Sequence, residues 1–323
     1  MTNSLKRKAG SVFQKKRWSR RAVRQKALSF CWSVLRAVLI IGLSFMILYP
    51  LIVKFSTSIK SAQDVVDATA VFVPKHPTLR NYRLVLDSVK YPITLLRTIA
   101  FCTVQSLLQL ASCALVAYGI ARFKFRGHKL LFGMAVLTLV IPPQLILLPL
   151  YIRFHFFGIL NIFQFSGVFS GIDLINTYWP FLLLSTTALG FKNGLYIYLL
   201  RQHFKNMPLV LEEAAYIDGC GPFKTFVRIM LPSSIPMLVT VFLFSFVWQW
   251  NDTTYSSIFY PQIPTLANQL YGMVFTSMGS GATLASAILE SPKFFLLITP
   301  VVILYLITQK FFVQSIARSG IVG

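Results

Sequence analysis

The sequence predicts an all-α, polytopic membrane protein with six transmembrane helices. Three observations carry that prediction. The 323 residues are 55% hydrophobic and only 12% charged, whereas a soluble domain carries about 25% charged residues. Such a chain cannot cover a water-facing surface. Two long runs, Ala37 to Val53 and Thr98 to Ala121, hold no charge at all, and a bilayer core asks for roughly 20 mostly apolar residues per helix. Comparable apolar runs then recur along the rest of the chain.

Taken in order, the runs place spans at about 35–54, 94–121, 130–151, 177–199, 233–250 and 294–312. The third contains Pro142 and Pro143. Neighbouring helices or a water-lined cavity can satisfy the carbonyls that these prolines free. A kinked helix is expected there, facing the pathway or used for packing alone. Lys192 interrupts the fourth span.

Residues 1–33 read as a basic tail. Ten Lys and Arg lie between Lys6 and Lys26 with no acidic residue among them. A net charge of +22 raises the question of nucleic acid, but no folded motif surrounds the run. A basic arm before a span is more simply an anchor on anionic membrane lipid. The apolar region that follows is longer than the roughly 7–15 residues of a cleaved signal peptide. It ends on Tyr49, Pro50 and Leu51 rather than on small residues, so it reads as a retained first span.

Placing both termini in the cytoplasm puts 20 of the 31 basic residues on that side, including Arg122, Lys124, Arg126 and Lys129. This satisfies the positive-inside bias. Loop one, about 55–93, works against it with Lys60, Lys75, Arg80, Arg83 and Lys90. The four cysteines form no CxxC pair or zinc spacing, and the four histidines are scattered. No catalytic residue, metal site or cofactor is expected. No GxxxxGK[ST] phosphate loop occurs in the sequence.

One segment between spans four and five differs from the rest. Pro208 suits the first turn of a helix, Gly219 suits the left-handed residue that ends it, and Pro222 suits the start of a second short helix reaching about Met230. Pro232 marks a break before span five. The resulting helix–turn–helix carries Glu212, Glu213 and Asp218, three of the nine acidic residues of the chain.

The spacing Glu213-Ala214-Ala215, three residues, Gly219, nine residues, Ile229, one residue, Leu231-Pro232 resembles the EAA loop of ATP-binding-cassette importer permeases. Further stretches resemble the carbohydrate-uptake subfamily similar to the maltose transporter's G-type subunit. They are Ala117-Tyr118-Gly119-Ile120-Ala121-Arg122-Phe123-Lys124-Phe125-Arg126-Gly127, Asn176-Thr177, Trp250-Asn251-Asp252 and Pro77-Thr78-Leu79-Arg80-Asn81-Tyr82. The external stretch 158–176, the Leu96-Arg97-Thr98 segment and the length of the basic tail depart from that pattern.

The resemblance implies a type I importer (MetI-like) permease fold in a bacterial cell membrane. Residues 34–323 would form the permease domain, with a core at about 94–312 and a coupling loop at about 206–232. Glu212, Glu213, Ala214, Ala215, Asp218, Gly219, Ile229, Leu231 and Pro232 would couple the chain to separate ATPase subunits, which alone bind ATP. The implied partners are a second homologous permease, two such ATPases, an extracellular solute-binding protein and a sugar. Import of another solute stays open at this point, as does secondary transport, although that would ask for coupling carboxylates within the spans.

Polar residues within spans tend to face a bundle interior or water. Gln105, Gln109, Gln144, Ser185, Thr186, Thr187, Ser245 and Gln249 are such residues, and Trp248, Trp250, Asn251 and Asp252 have the aromatic and amide chemistry that holds sugars. Of these, Gln144, Thr186, Gln249, Trp250 and Asn251 are the expected pathway residues. Helix–helix hydrogen bonding and an interfacial aromatic belt are the competing roles.

Overall fold

A computed structural model describes residues 20–67, 69–70, 72–158, 171–273 and 281–319, with side chains described for a subset of these. The Lys6–Lys26 run and most of the 158–176 stretch therefore lie outside the described side chains. The architecture is helical. Among the described residues the one extended pairing is an antiparallel bridge between Phe157 and Ile172.

Helix α1 (Arg20–Ser58) is followed by the short α2 (Ala62–Val66) and α3 (Arg80–Ser88). Asn81 Nδ2 donates to the Lys60 carbonyl at 2.9 Å, and Thr78 N donates to the Ile59 carbonyl at 2.7 Å. The Pro77–Tyr82 motif thus satisfies backbone groups that the end of α1 would leave open. Lys75 lies 2.5 Å from Asp67, and hydrogen bonds from Lys75 and Thr69 hold that carboxyl well below its ordinary range.

Helix α4 (Tyr91–Arg122) is the axis of the molecule. It packs against α8 (Asn193–Asn206), α12 (Ile235–Trp250), α7 (Trp179–Thr186) and α5 (His128–Val140). Cys113, Ala117 and Tyr118 join Tyr196, Leu200, Phe204, Phe226, Met230 and Val241 in one buried cluster. A second cluster joins Val85, Cys102, Phe246 and Trp250 to α14 (Leu266–Gly272) and to α15 (Gly281–Ser319). A third gathers Phe154, Phe181, Phe259 and Tyr260 around α6 (Pro143–His155) and α13 (Thr254–Phe259).

Among the described residues, three apolar helices are long enough to cross a bilayer unbroken: Leu28–Ser58, Tyr91–Arg122 and Ile288–Phe311. Of the other expected spans, the fifth is the unbroken α12 (Ile235–Trp250), and the third and fourth are broken. Helices α5 and α6 meet at 103°. Each has 13 residues, about 20 Å at 1.5 Å per residue, so neither crosses roughly 30 Å of hydrocarbon alone. The break falls where expected: a residue preceding proline is driven out of the helical region, and Ile141 and Pro142 are both extended.

The fourth span, expected at 177–199 with an interruption at Lys192, consists of two helices. Helix α7 stops at Thr186, and α8 begins at Asn193. Ala188 and Lys192 between them take left-handed φ values of 57° and 67°. The expected break at Pro232 is corrected, by two residues. The helical run from Pro222 passes through Pro232 and turns by 81° at Ser234. In a continuous helix the ring of Pro236 would strike the carbonyl of Pro232, four residues back.

Candidate functional site

The 208–233 hairpin is built on two helices. Helix α9 (Val210–Ile217) ends as its sequence dictates. Gly219 sits at φ 75°, where a Cβ is strained, and Cys220 N returns to the Ala215 carbonyl at 2.9 Å. Pro222 opens α10 (Pro222–Thr225), which continues as a π-helical turn (Phe226–Met230) into α11 (Leu231–Ser233). Ser234 Oγ donates to the Met230 carbonyl at 2.7 Å and fastens the turn into α12.

The hairpin has an inner and an outer face. Glu212, Ala215, Thr225, Phe226 and Met230 are buried. Glu213, Ala214, Asp218, Gly219 and Pro232 are exposed, and Ile229 and Leu231 are half-buried. The inner face is anchored to α4 in two ways. Arg122 Nε lies 3.1 Å from Glu212 Oε1, with both side chains at most 7% exposed. The Arg122 Nη2 also donates to the Met207 carbonyl at 2.8 Å. Beside this pair the Tyr118 and Phe226 rings stand 4.8 Å apart. The outer face carries large apolar side chains, with Ile217 86% exposed and Phe223 70% exposed. Neither belongs to the Glu213–Pro232 motif spacing. Their signal was two large apolar residues placed on either side of a surface turn.

The expected pathway residues divide. Gln144 and Asn251 line one cleft of about 710 Å³ together with Lys192, Trp248, Asp252 and Tyr255. Gln249 belongs to an adjoining polar knot centred on Gln109. The Gln109 amide Nε2 donates to the Phe191 carbonyl at 2.9 Å and to Asn193 Oδ1. Its Oε1 accepts from Ser245 Oγ at 2.6 Å and from Gln249 Nε2 at 3.0 Å. One side chain thereby ties α4, α8 and α12 together, and Ser112 adds a bond to the Ser185 carbonyl at 2.5 Å.

Trp250 is a correction. It is 1% exposed, and its Nε1 donates to the Leu297 carbonyl of α15 at 3.0 Å. Its indole packs on Phe246 at 5.7 Å, so it serves the core. Thr186 is exposed, but its hydroxyl donates to Leu182 and Leu183 of its own helix, and it lines neither the large cleft nor the void of about 20 Å³ beside Gln105 and Gln249. Asp252 spends its carboxylate on Tyr255 N and Ser256 N at 3.1 and 2.8 Å, capping α13. Asn176 adopts φ 61° and receives a bond from Gln262 N at 3.3 Å. Among the described residues no three His, Cys, Asp or Glu side chains gather as metal ligands.

Residues 113–317 match the family described as the binding-protein-dependent transport system inner membrane component. The chain belongs to this family. The matched region of this inner membrane component takes in the hairpin and the cleft, and it begins four residues after Gln109, the centre of the polar knot. The trehalose transport system permease protein SugB of Mycobacterium tuberculosis is 30% identical over 68% of this chain and 72% of its own length. The alpha-glucoside transport system permease protein AglG of Rhizobium meliloti is 28% identical over 77% of this chain. The match spans 62% of the length of AglG. A bacterial ABC transporter involved in the import of the acidic polysaccharide alginate superposes with a TM-score of 0.70 at 20% identity. That superposition covers 87% of this inner membrane component and 96% of the solved chain, and it confirms the fold. Family, fold and apolar helices together make the chain a multi-pass membrane protein.

Proposed function

We propose that the chain is the permease subunit of an ATP-driven importer of a di- or oligosaccharide. The observation that carries this reading is the two-faced hairpin. Its inner face is keyed to α4 through Arg122 and Glu212, while its outer face offers Glu213, Ala214, Ile217, Asp218 and Phe223 to another protein. In this reading the outer face docks on one of two separate ABC ATPases, which bind and hydrolyse the ATP. A small side chain at Ala214 lets the partner surface approach the helix closely. The exposed Glu213 carboxylate can take a charge-assisted bond worth about 1.5–3 kcal/mol. ATP-driven closure of the ATPases moves the hairpin, and the rigid inner contacts carry that motion to α4 and α12. The transporter then passes between two states whose balance the ligands set.

A second homologous permease, an extracellular solute-binding protein and the surrounding membrane lipid complete the assembly, and the hairpin and both termini face the cytoplasm. The sugar cargo is supported by the trehalose and alpha-glucoside that SugB and AglG are named for and by the amides and aromatic rings of the cleft.

The test is purification of the tagged chain from its own membrane. An ATPase should accompany it, with hydrolysis that rises when binding protein and sugar are added. Glu213→Lys and Gly219→Pro should each abolish sugar-stimulated uptake of labelled sugar into vesicles while the chain still inserts. Full uptake by either variant would rule out the coupling role.

A further inference from the structure

We propose that the 710 Å³ cleft between α6, α8 and α12 is a binding site for a carboxylate-bearing saccharide, with Lys192 as its counter-charge. This rests on the sugar-permease reading above and names the class of sugar.

Lys192 stands at the break between α7 and α8, in a left-handed conformation that a lysine adopts only at a cost. It is the one charged residue between Leu174 and Leu200, and an ionised side chain within a membrane-spanning segment is expensive and marks a pathway or a ligand. Its ammonium is held 4.2 Å above the Trp248 ring, and both residues line the cleft. Among the described residues no carboxylate lies within 4.0 Å of it. Asp252, which shares the cleft, is already engaged by the two backbone N–H groups of α13.

The rest of the wall suits the body of a sugar. Gln144 and Asn251 are exposed amides, and Tyr255 supplies an aromatic ring. The volume falls within the roughly 300–1,000 Å³ usual for small-molecule sites. Electrostatics separates a neutral cargo from an anionic one. When the transporter closes and expels water, a neutral sugar leaves the Lys192 charge desolvated with no carboxylate in direct contact, since Asp252 lines the same cleft but is turned to the backbone of α13. A uronate carboxylate neutralises it, and the cost of burying either charge alone is recovered in the pair. Cation–π contact with Trp248 positions the ammonium without consuming its hydrogen-bond donors.

The experiment uses cells that carry the chain at its own locus with its own partner subunits. Uptake of a labelled uronic-acid disaccharide is compared with that of the corresponding neutral disaccharide. The wild-type chain should favour the uronate. Lys192→Met should raise the apparent KM for the uronate by about tenfold or more, the loss of one charged hydrogen bond. Neutral uptake should stay unchanged, and Lys192→Arg should retain most of the preference. Equal effects of Lys192→Met on both sugars, or a wild-type preference for the neutral one, overturn the inference and leave the sugar-permease reading standing. Entry of neither sugar overturns both. A second readout needs no Lys192 variant: a cysteine in place of Asn251 should be protected from maleimide by the uronate but not by the neutral sugar. Equal protection by both also overturns it.

Discussion

Glu212 and Glu213 are adjacent carboxylates with opposite surroundings. Successive residues of a helix point about 100° apart, so a helix lying on a bundle can turn only one of the two outward. The structure buries Glu212 against Arg122 and exposes Glu213. The sequence grouped both as coupling residues, because nothing local marks which one faces inward. The answer lies with Arg122, ninety positions earlier in the chain. Removing one member of a buried pair strands the other charge, at a cost of about 3–5 kcal/mol. Arg122→Ala should therefore lower the melting temperature of the detergent-solubilised chain sharply. The double variant Arg122→Met, Glu212→Met should recover most of that loss. Wild-type melting of Arg122→Ala would show that the pair does not hold the hairpin. The same distance problem hid the role of Trp250: hydropathy and chemistry place an aromatic near a span end, but only tertiary packing shows its N–H taken by Leu297.

At the scale of elements, composition revealed where apolar helices lie but not whether they run straight. Pro142 and Pro143 announced a kink, and the fold turns it into a 103° corner. Lys192 announced an interruption, and the fold separates α7 from α8 there. The hairpin was the most legible element, because Pro208, Gly219 and Pro222 each enforce backbone geometry locally and need no distant partner. Helix α8 was less so, since its fit against α5 depends on Gly194. A Cβ on Gly194 would collide with Thr138 Oγ1 and the Ala135 carbonyl. Backbone cannot yield there as a flexible side chain can. Gly194→Ala should thus push α5 away from α8, with an overpacking penalty of about 1–3 kcal/mol. The expected result is a lower melting temperature and faster proteolysis within residues 123–142. An unchanged melting curve and cleavage pattern would mean that α5 relaxes without loss.

Across the whole molecule, the hairpin and the tight Arg122–Lys129 turn lie toward one end of α4, and the cleft opens beside α6, α8 and α12. In the proposed reading the hairpin end faces the cytoplasm, the side that the distribution of Lys and Arg favours. A cysteine at Tyr216, a position 43% exposed, should react with a membrane-impermeant maleimide in inverted vesicles and not in intact cells. Reaction in intact cells alone would reverse the topology and remove the hairpin from the ATPases. Helix α1 meets this body mainly along α15, with Phe55 edge-on to Phe295 at 5.8 Å and Lys54 over Phe294. None of its most apolar window is buried within the chain. Such a helix is read by its surroundings for oiliness rather than for shape. Away from the Phe55 contact and the edge-on packing of Tyr49 against Phe72 at 5.9 Å, its apolar residues are interchangeable letters, so sequence drift should run far ahead there of the rate tolerated in α4.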